Sequence, residues 1–349
     1  MDTRDLFLMT ESMTYVLMLL YKVLTLIFTK INIREYIHLI RAMEDDFKYI
    51  YTKGENYRKV FFAYQVGTWK ACITTNMCLI AMSTSLVTFA IISLMVYLVE
   101  HPPGDRPERP LVFPYWAPGV DYKATPAYEI AFFHSNIGCL ACAYNYIFVL
   151  QTNVVWVRQI AAKAEMIGMC IKDLLEGIHP TNDEHQKQYY IRLVNFRMKE
   201  IVFQHHELNK LIESYAKVYK KCLIFEQFIS SPLVCMLAYC SSVKIDQGDA
   251  PVVMMVLCVA AILVLFTSNY LCTYLRTKLT LIFDACWELR FWDVGPCIKP
   301  YLILIMMRCL RPLPLQAPGF QEVSIKTFSG KMGSAYSLFN MLRQTDVHL

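Results

Sequence analysis

Residues 306–344 read MMRCLRPLPLQAPGFQEVSIKTFSGKMGSAYSLFNMLRQ. The first part, through Pro318, is basic and broken by proline, with Arg308, Arg311, Pro312, Pro314 and Pro318. From Phe320 to Leu342 the residues predict a helix of mixed character. Lys326 and Lys331 lie near its start and small residues (Ser329, Gly330, Gly333, Ser334, Ala335) in its middle. Tyr336, Leu338, Phe339, Met341 and Leu342 follow. A helix facing lipid is more uniformly apolar, so this one belongs against other helices or beside water.

The rest of the chain supplies those other helices. Of its 349 residues 56% are hydrophobic and 18% charged, and the mean hydropathy is +0.34. Soluble domains carry about 25% charged residues. With 20 Phe and 22 Tyr against 12 Gly, the balance points to a polytopic helical membrane protein. The net charge of +5 is modest, and where it lies matters more than its size. The 13 cysteines are scattered, many in apolar runs (Cys78, Cys139, Cys142, Cys235, Cys258, Cys272), and read as reduced, buried thiols. No N-x-S/T sequon occurs, and the first apolar run serves as its own insertion signal.

Crossing segments follow from length, since a bilayer needs about 20 apolar residues. The expected spans are 6–29, 73–99, 130–157, 222–243 and 251–275, with 326–344 as the sixth. Glu11 and Lys22 interrupt the first span. A charge at mid-membrane costs about 2.5–3.5 kcal/mol on insertion scales, so Lys22 is expected to snorkel towards Lys30 and Arg34. Residues 30–70 read as a basic extension of the first helix plus a connector. Residues 158–221 read as long, charged and helical. Ser83, Thr84, Ser85 and Thr88 in the second span suit helix contact or a small-molecule cavity. Residues 100–127 hold seven of the 15 prolines and form a loop, with Phe113, Tyr115 and Trp116 at headgroup level. His205, His206 and Glu207 lack H-E-x-x-H spacing and read as a helix face, not a metal site. The run Tyr301–Met307 is too short to cross. Lys and Arg crowd into 30–70, 158–221 and 276–318, which places those segments in the cytoplasm and both termini outside.

The C-terminal residues also carry a resemblance. Met306 and Arg308, Pro312 and Pro314, Gly319 and Phe320, Ser324 to Phe328, and Ala335 to Arg343 resemble, in order, the C-terminal signature of insect odorant receptors. The core Phe113–Pro118 resembles the family's second extracellular loop, as an aromatic anchor or as a lid. The resemblance implies an all-α transmembrane bundle of seven crossings with a cytoplasmic N-terminus and an extracellular C-terminus. This chain is similar from the family's second span onward, so six crossings are expected and the first helix is absent, through truncation or in the receptor itself. Residues 1–275 would form the bundle with an odorant pocket. Residues 276–349 would supply a cytoplasmic anchor helix and a pore-lining C-terminal helix.

The resemblance further implies a subunit of an odour-gated, non-selective cation channel, a heterotetramer with a co-receptor subunit, in the plasma membrane of olfactory sensory neurons. Its partners are a small volatile odorant, the co-receptor and the lipid bilayer, with no nucleic acid and no cofactor. Matching the C-terminal pattern puts Met341 at a hydrophobic gate and Gln344 at the pore mouth, although helix packing also explains Met341. Depth along the outer halves of the spans selects pocket candidates: Tyr15, Met18, Ser85, Phe89, Ile92, Phe133, His134, Ile137, Met254 and Cys258. Each has packing as its plainer explanation. A chemosensory G-protein-coupled receptor is the alternative, but no D/E-R-Y follows the third crossing and no N-P-x-x-Y lies in the last. Paired carboxylates, a phosphate loop and an internal twofold repeat are also missing, which argues against an enzyme or a transporter.

Overall fold

The computed structural model describes residues 3–100, 109, 111, 113, 124–177, 184–289, 298–311, 315 and 322–348. Residues 114–118 of the proline-rich loop lie outside the described residues, as do Pro312, Pro314, Pro318, Gly319 and Phe320 of the C-terminal signature. All α-helices among the described residues are α1 (Thr3–Ile31), α2 (Ile33–Tyr51), α3 (Glu55–Glu100), α4 (Ala127–Lys172), α5 (Glu184–Asp246), α6 (Val252–Glu288), α7 (Lys299–Cys309) and α8 (Ile325–His348). Backbone inside hydrocarbon must satisfy its own polar groups, so apolar segments of this length cross as helices. Among the described residues, five helices (α1, α3, α4, α5 and α6) are long and apolar enough to do so.

The helices overrun the apolar windows. A connector is expected up to residue 70, yet the chain breaks only at Asn32 and at 52–54, and α3 starts at Glu55. Arg58, Lys59, Gln65 and Lys70, with Ala63 and Ala71, lose little on entering a helix, so α3 persists beyond the apolar layer. Helix α5 runs for 63 residues through Pro232 without ending. It stops at a Schellman motif: the Asp249 N–H donates to Lys244 O and the Gly248 N–H to Ile245 O, both at 2.9 Å. Gly248 sits at φ +85°, which a side chain would oppose.

Cross-helix bonds fix the directions. Lys244 meets Glu11 at 3.5 Å and Tyr21 donates to Glu226 at 3.3 Å, so α1 runs antiparallel to α5. For α8, the Ile325 N–H donates to Thr273 Oγ1 at 3.0 Å, Ser231 Oγ donates to Lys331 O at 3.1 Å, and Arg343 reaches Asp246 at 3.5 Å. Helix α8 therefore lies parallel to the end of α5 and antiparallel to the start of α6, at the same depth as their apolar residues. Its lysines, serines and glycines make it less apolar than the apolar windows of the five helices named above.

The larger core sits at the basic end, where α2, α7, the starts of α3 and α5 and the ends of α4 and α6 meet. Trp156 is fully buried, with ring centroids 5.6–5.7 Å from Tyr36, Tyr215 and Tyr219. Around it, polar groups pair. Lys163 meets Asp46 at 2.5 Å, Gln159 donates to Asp46 at 2.7 Å, and Lys278 and Tyr64 converge on Glu165 at 3.0 and 2.8 Å. Burial pushes the Asp46 carboxyl up, and the Lys163 ammonium pulls it back. Helix α7 docks here through Leu302 and Ile305, with Arg308 donating to Asn209 at 3.1 Å. The described cysteines are all free thiols.

Candidate functional site

Nearer the other end the bundle opens into a cavity of about 420 Å³, bordered by α1, α3, α4, α5 and α6. Each helix gives it one face. Helix α1 contributes Tyr15, Met18, Leu19 and Lys22, and α3 contributes Leu79, Met82, Ser83 and Leu86. Ser135, Cys139, Cys142 and Tyr146 come from α4, Glu226, Ile229 and Leu233 from α5, and Leu257, Ala261 and Leu265 from α6. Spacings of three, four and seven residues place each set on one side of its helix. Phe113, from the proline-rich loop, packs edge-on against Tyr15 with centroids 5.2 Å apart and also borders the cavity.

The walls are mostly apolar; Ser83, His134, Ser135 and Ser230 are polar exceptions, and the two charged ones, Lys22 and Glu226, lie towards the basic end. Glu226 is 7% exposed. Its Oε2 accepts hydrogen bonds from Tyr21 at 3.3 Å and from Ser268 at 3.2 Å, while Oε1 has no partner among the described residues. Lys22 is also 7% exposed; its ammonium lies 5.7 Å from the Tyr146 ring centre and has no hydrogen-bond partner there. The expected snorkelling of Lys22 is thus replaced by inward burial, with an aromatic face in place of water.

The residues selected by depth divide by direction. Tyr15, Met18 and His134 line the cavity. Ser85, Ile92, Phe133 and Ile137 face outwards from the chain, and Phe89 and Cys258 are half-buried away from the cavity wall. Met254 is buried in the small core where α5 and α6 meet. The position of Ser85 is taken by Ser83; the Ser85 hydroxyl instead bonds Met82 O at 2.7 Å. Depth reasoning passed over Glu226 and Tyr146. A lone carboxylate inside an apolar span is itself a signal of function and would have found Glu226.

Helix α8 has two unlike faces. Thr327, Phe328, Ala335, Phe339 and Leu342 turn towards the bundle, and Phe328 lies edge-on to Phe266 with centroids 5.5 Å apart. The opposite face carries Gly330, Gly333, Ser334, Ser337, Met341 and Gln344, all exposed, Met341 by 56%.

Long apolar helices around a mostly apolar cavity make this a polytopic membrane protein. The sequence matches the model of the 7tm Odorant receptor family over residues 6–336, and the chain belongs to that family of receptors, which are not enzymes. It is 21% identical to odorant receptor 67c of Drosophila melanogaster over 244 residues, a match covering 69% of this chain and 57% of that one. With odorant receptor 2a of the same fly it shares 25% over 250 residues, 68% of this chain and 60% of the relative. The chain therefore spans under two thirds of the length of these curated relatives. Its fold is that of the insect olfactory receptor OR5 from Machilis hrabei, at a TM-score of 0.67 and 15% identity, covering 96% of this chain and 81% of the other. The same receptor in complex with eugenol is equally similar.

Proposed function

We propose that this chain is the odorant-binding subunit of a ligand-gated, non-selective cation channel, assembled as a heterotetramer with the odorant receptor co-receptor. It acts in smell perception at the plasma membrane of olfactory sensory neurons. A small volatile odorant occupies the cavity between α1, α3, α4, α5 and α6. Residues 276–349 provide the cytoplasmic anchor helix α7 and the pore-lining helix α8, the sixth crossing. Lysine and arginine crowding at the α2 and α7 end supports a cytoplasmic position for that end.

The observation that carries this reading is the pair of faces on α8. One is packed on α5 and α6; the other is mostly small and polar, with Tyr336 and Met341 among its large exposed side chains. Left against lipid, that outer face would gain little from hydrocarbon. Around a symmetry axis it lines a wet path in which Met341 forms an apolar constriction, closed by dewetting and opened by helix rotation, with Gln344 at the mouth.

Co-expression with the co-receptor and recording of odour-evoked current tests the proposal. The current is expected to persist with G-protein signalling blocked. Met341→Ala and Gln344→Ala should alter leak or ion selectivity with the odour ranking unchanged. Current that disappears when G proteins are blocked would overturn the channel reading in favour of a G-protein-coupled receptor. For the cavity, Tyr15→Ala should reorder the odour panel and Phe89→Ala should leave it, because only Tyr15 borders the space.

A further inference from the structure

We infer that the cavity selects ligands with a hydroxyl on a hydrocarbon body, an alcohol or a phenol, held head-down with the hydroxyl donating to Glu226. The inference rests on the cavity being the odorant site and adds the chemical class it takes.

The two charged residues of the wall, Glu226 and Lys22, lie together at one end, while uncharged polar side chains such as Ser83, His134 and Ser135 lie elsewhere along it. From Tyr15 to Lys22 the cavity runs about 10 Å along α1, at 1.5 Å per residue. Phe113 and Tyr15 border one end. Glu226 lies at the other, more than nine-tenths buried. Two donors from two other helices, the Tyr21 hydroxyl and the Ser268 hydroxyl, both fall on Oε2 and hold the carboxyl group in place. Its second oxygen is left without a partner among the described residues. A buried acceptor without a donor costs free energy that a ligand donor recovers. Hydrocarbons, ethers and esters bring no donor, whereas a hydroxyl does. Between the two ends the walls offer side chains such as Leu86, Leu233 and Leu257, suited to an alkyl or aryl body.

Lys22 sharpens the class. Its ammonium donates and cannot accept, so it serves a second oxygen of the ligand, not the hydroxyl proton. A ligand with a hydroxyl and a separate carbonyl or ether oxygen can use both residues. A second void of about 20 Å³ borders Glu226, Asn153, Tyr219 and Ser268, room for a single water. If that water satisfies Oε1, the ligand hydroxyl gains nothing there, and the experiment decides between the two.

The experiment uses the full chain in lipid nanodiscs, with binding of 1-octanol, methyl heptyl ether, 2-octanone and n-octane followed by titration. Wild-type chain is expected to hold the alcohol about 10–100-fold more tightly than the ether of similar size, after correction for partition into lipid. Glu226→Gln keeps the shape but puts an amide donor where the free acceptor oxygen was, and should cut the alcohol's advantage about tenfold. Lys22→Met should weaken 2-octanone and leave the alcohol-to-octane ratio unchanged. Partition cancels in each variant-to-wild-type ratio. Equal affinity for alcohol and ether in the wild type overturns this inference and leaves the odorant site standing. Absence of binding by all four probes overturns both. The wild-type ranking decides even if Glu226→Gln fails to fold.

Discussion

The two ends of the bundle use similar side chains to opposite effect. At the basic end, Trp156, Tyr215, Tyr219 and Ile160 are packed to near-zero exposure, and the buried charges Asp46 and Lys163 meet at 2.5 Å. At the cavity end, leucines and alanines of the same kind stand apart around about 420 Å³, and the buried Glu226 and Lys22 each keep an unpartnered atom. The Asp46–Lys163 pair stiffens its end, whereas the unpartnered atoms of Glu226 and Lys22 are open to a ligand. One end is suited to hold helices in register, the other to change with what enters it.

The largest effect should come from unpairing the basic end. Lys163→Met leaves Asp46 buried without its counter-ion and should lower stability by about 3–5 kcal/mol at neutral pH, measured by thermal unfolding in detergent. The sign with pH follows from the raised Asp46 carboxyl. As pH falls through its folded range, Asp46 takes up a proton and the charge that lacked a partner disappears. The gap between variant and wild type should then shrink. A gap that widens in acid would break the contrast between the ends.

A paired truncation sharpens it next. Ile160→Ala, in close packing, should cost about 4 kcal/mol, near the upper end for such changes, and Leu86→Ala on the cavity wall about 2 kcal/mol, near the lower end. The first leaves a new hole; the second enlarges a space already there and should shift the odour panel towards bulkier molecules. Equal costs would mean that the cavity end is packed as tightly as the other. The smallest effect belongs to Arg343→Ala. Its contact with Asp246 is long, at 3.5 Å, and both side chains are exposed, so unfolding should move by under about 1 kcal/mol.

Of the ten residues that depth along the spans selects, three, Tyr15, Met18 and His134, border the cavity. On α3 the candidates Ser85, Phe89 and Ile92 lie on one stripe, and the cavity residues Met82, Ser83 and Leu86 lie roughly 100° round the same helix, at 3.6 residues per turn. On α4, Phe133 and Ile137 face outwards while Ser135 and Cys139 face in. In water the apolar stripe of a helix marks its buried side. In lipid both sides are apolar, so the stripe vanishes and periodicity no longer tells inside from outside. Lys22 shows the same limit from the polar side: its place in the span is legible, but whether it reaches up to water or in towards Tyr146 depends on a helix more than a hundred residues away.

The sequence by itself determined that this chain crosses a membrane as several helices, because length and hydropathy act locally. Through the order of residues in its last forty or so it also pointed to its family. Only the tertiary structure decided which face of each helix borders the cavity and that Glu226 and Lys22 share its wall. It alone decided that α8 lies at the depth of α5 and α6 with its small, polar side turned away from them. Those facts arise from contacts between helices distant in sequence, and a uniformly oily segment records nothing of which neighbour it will meet.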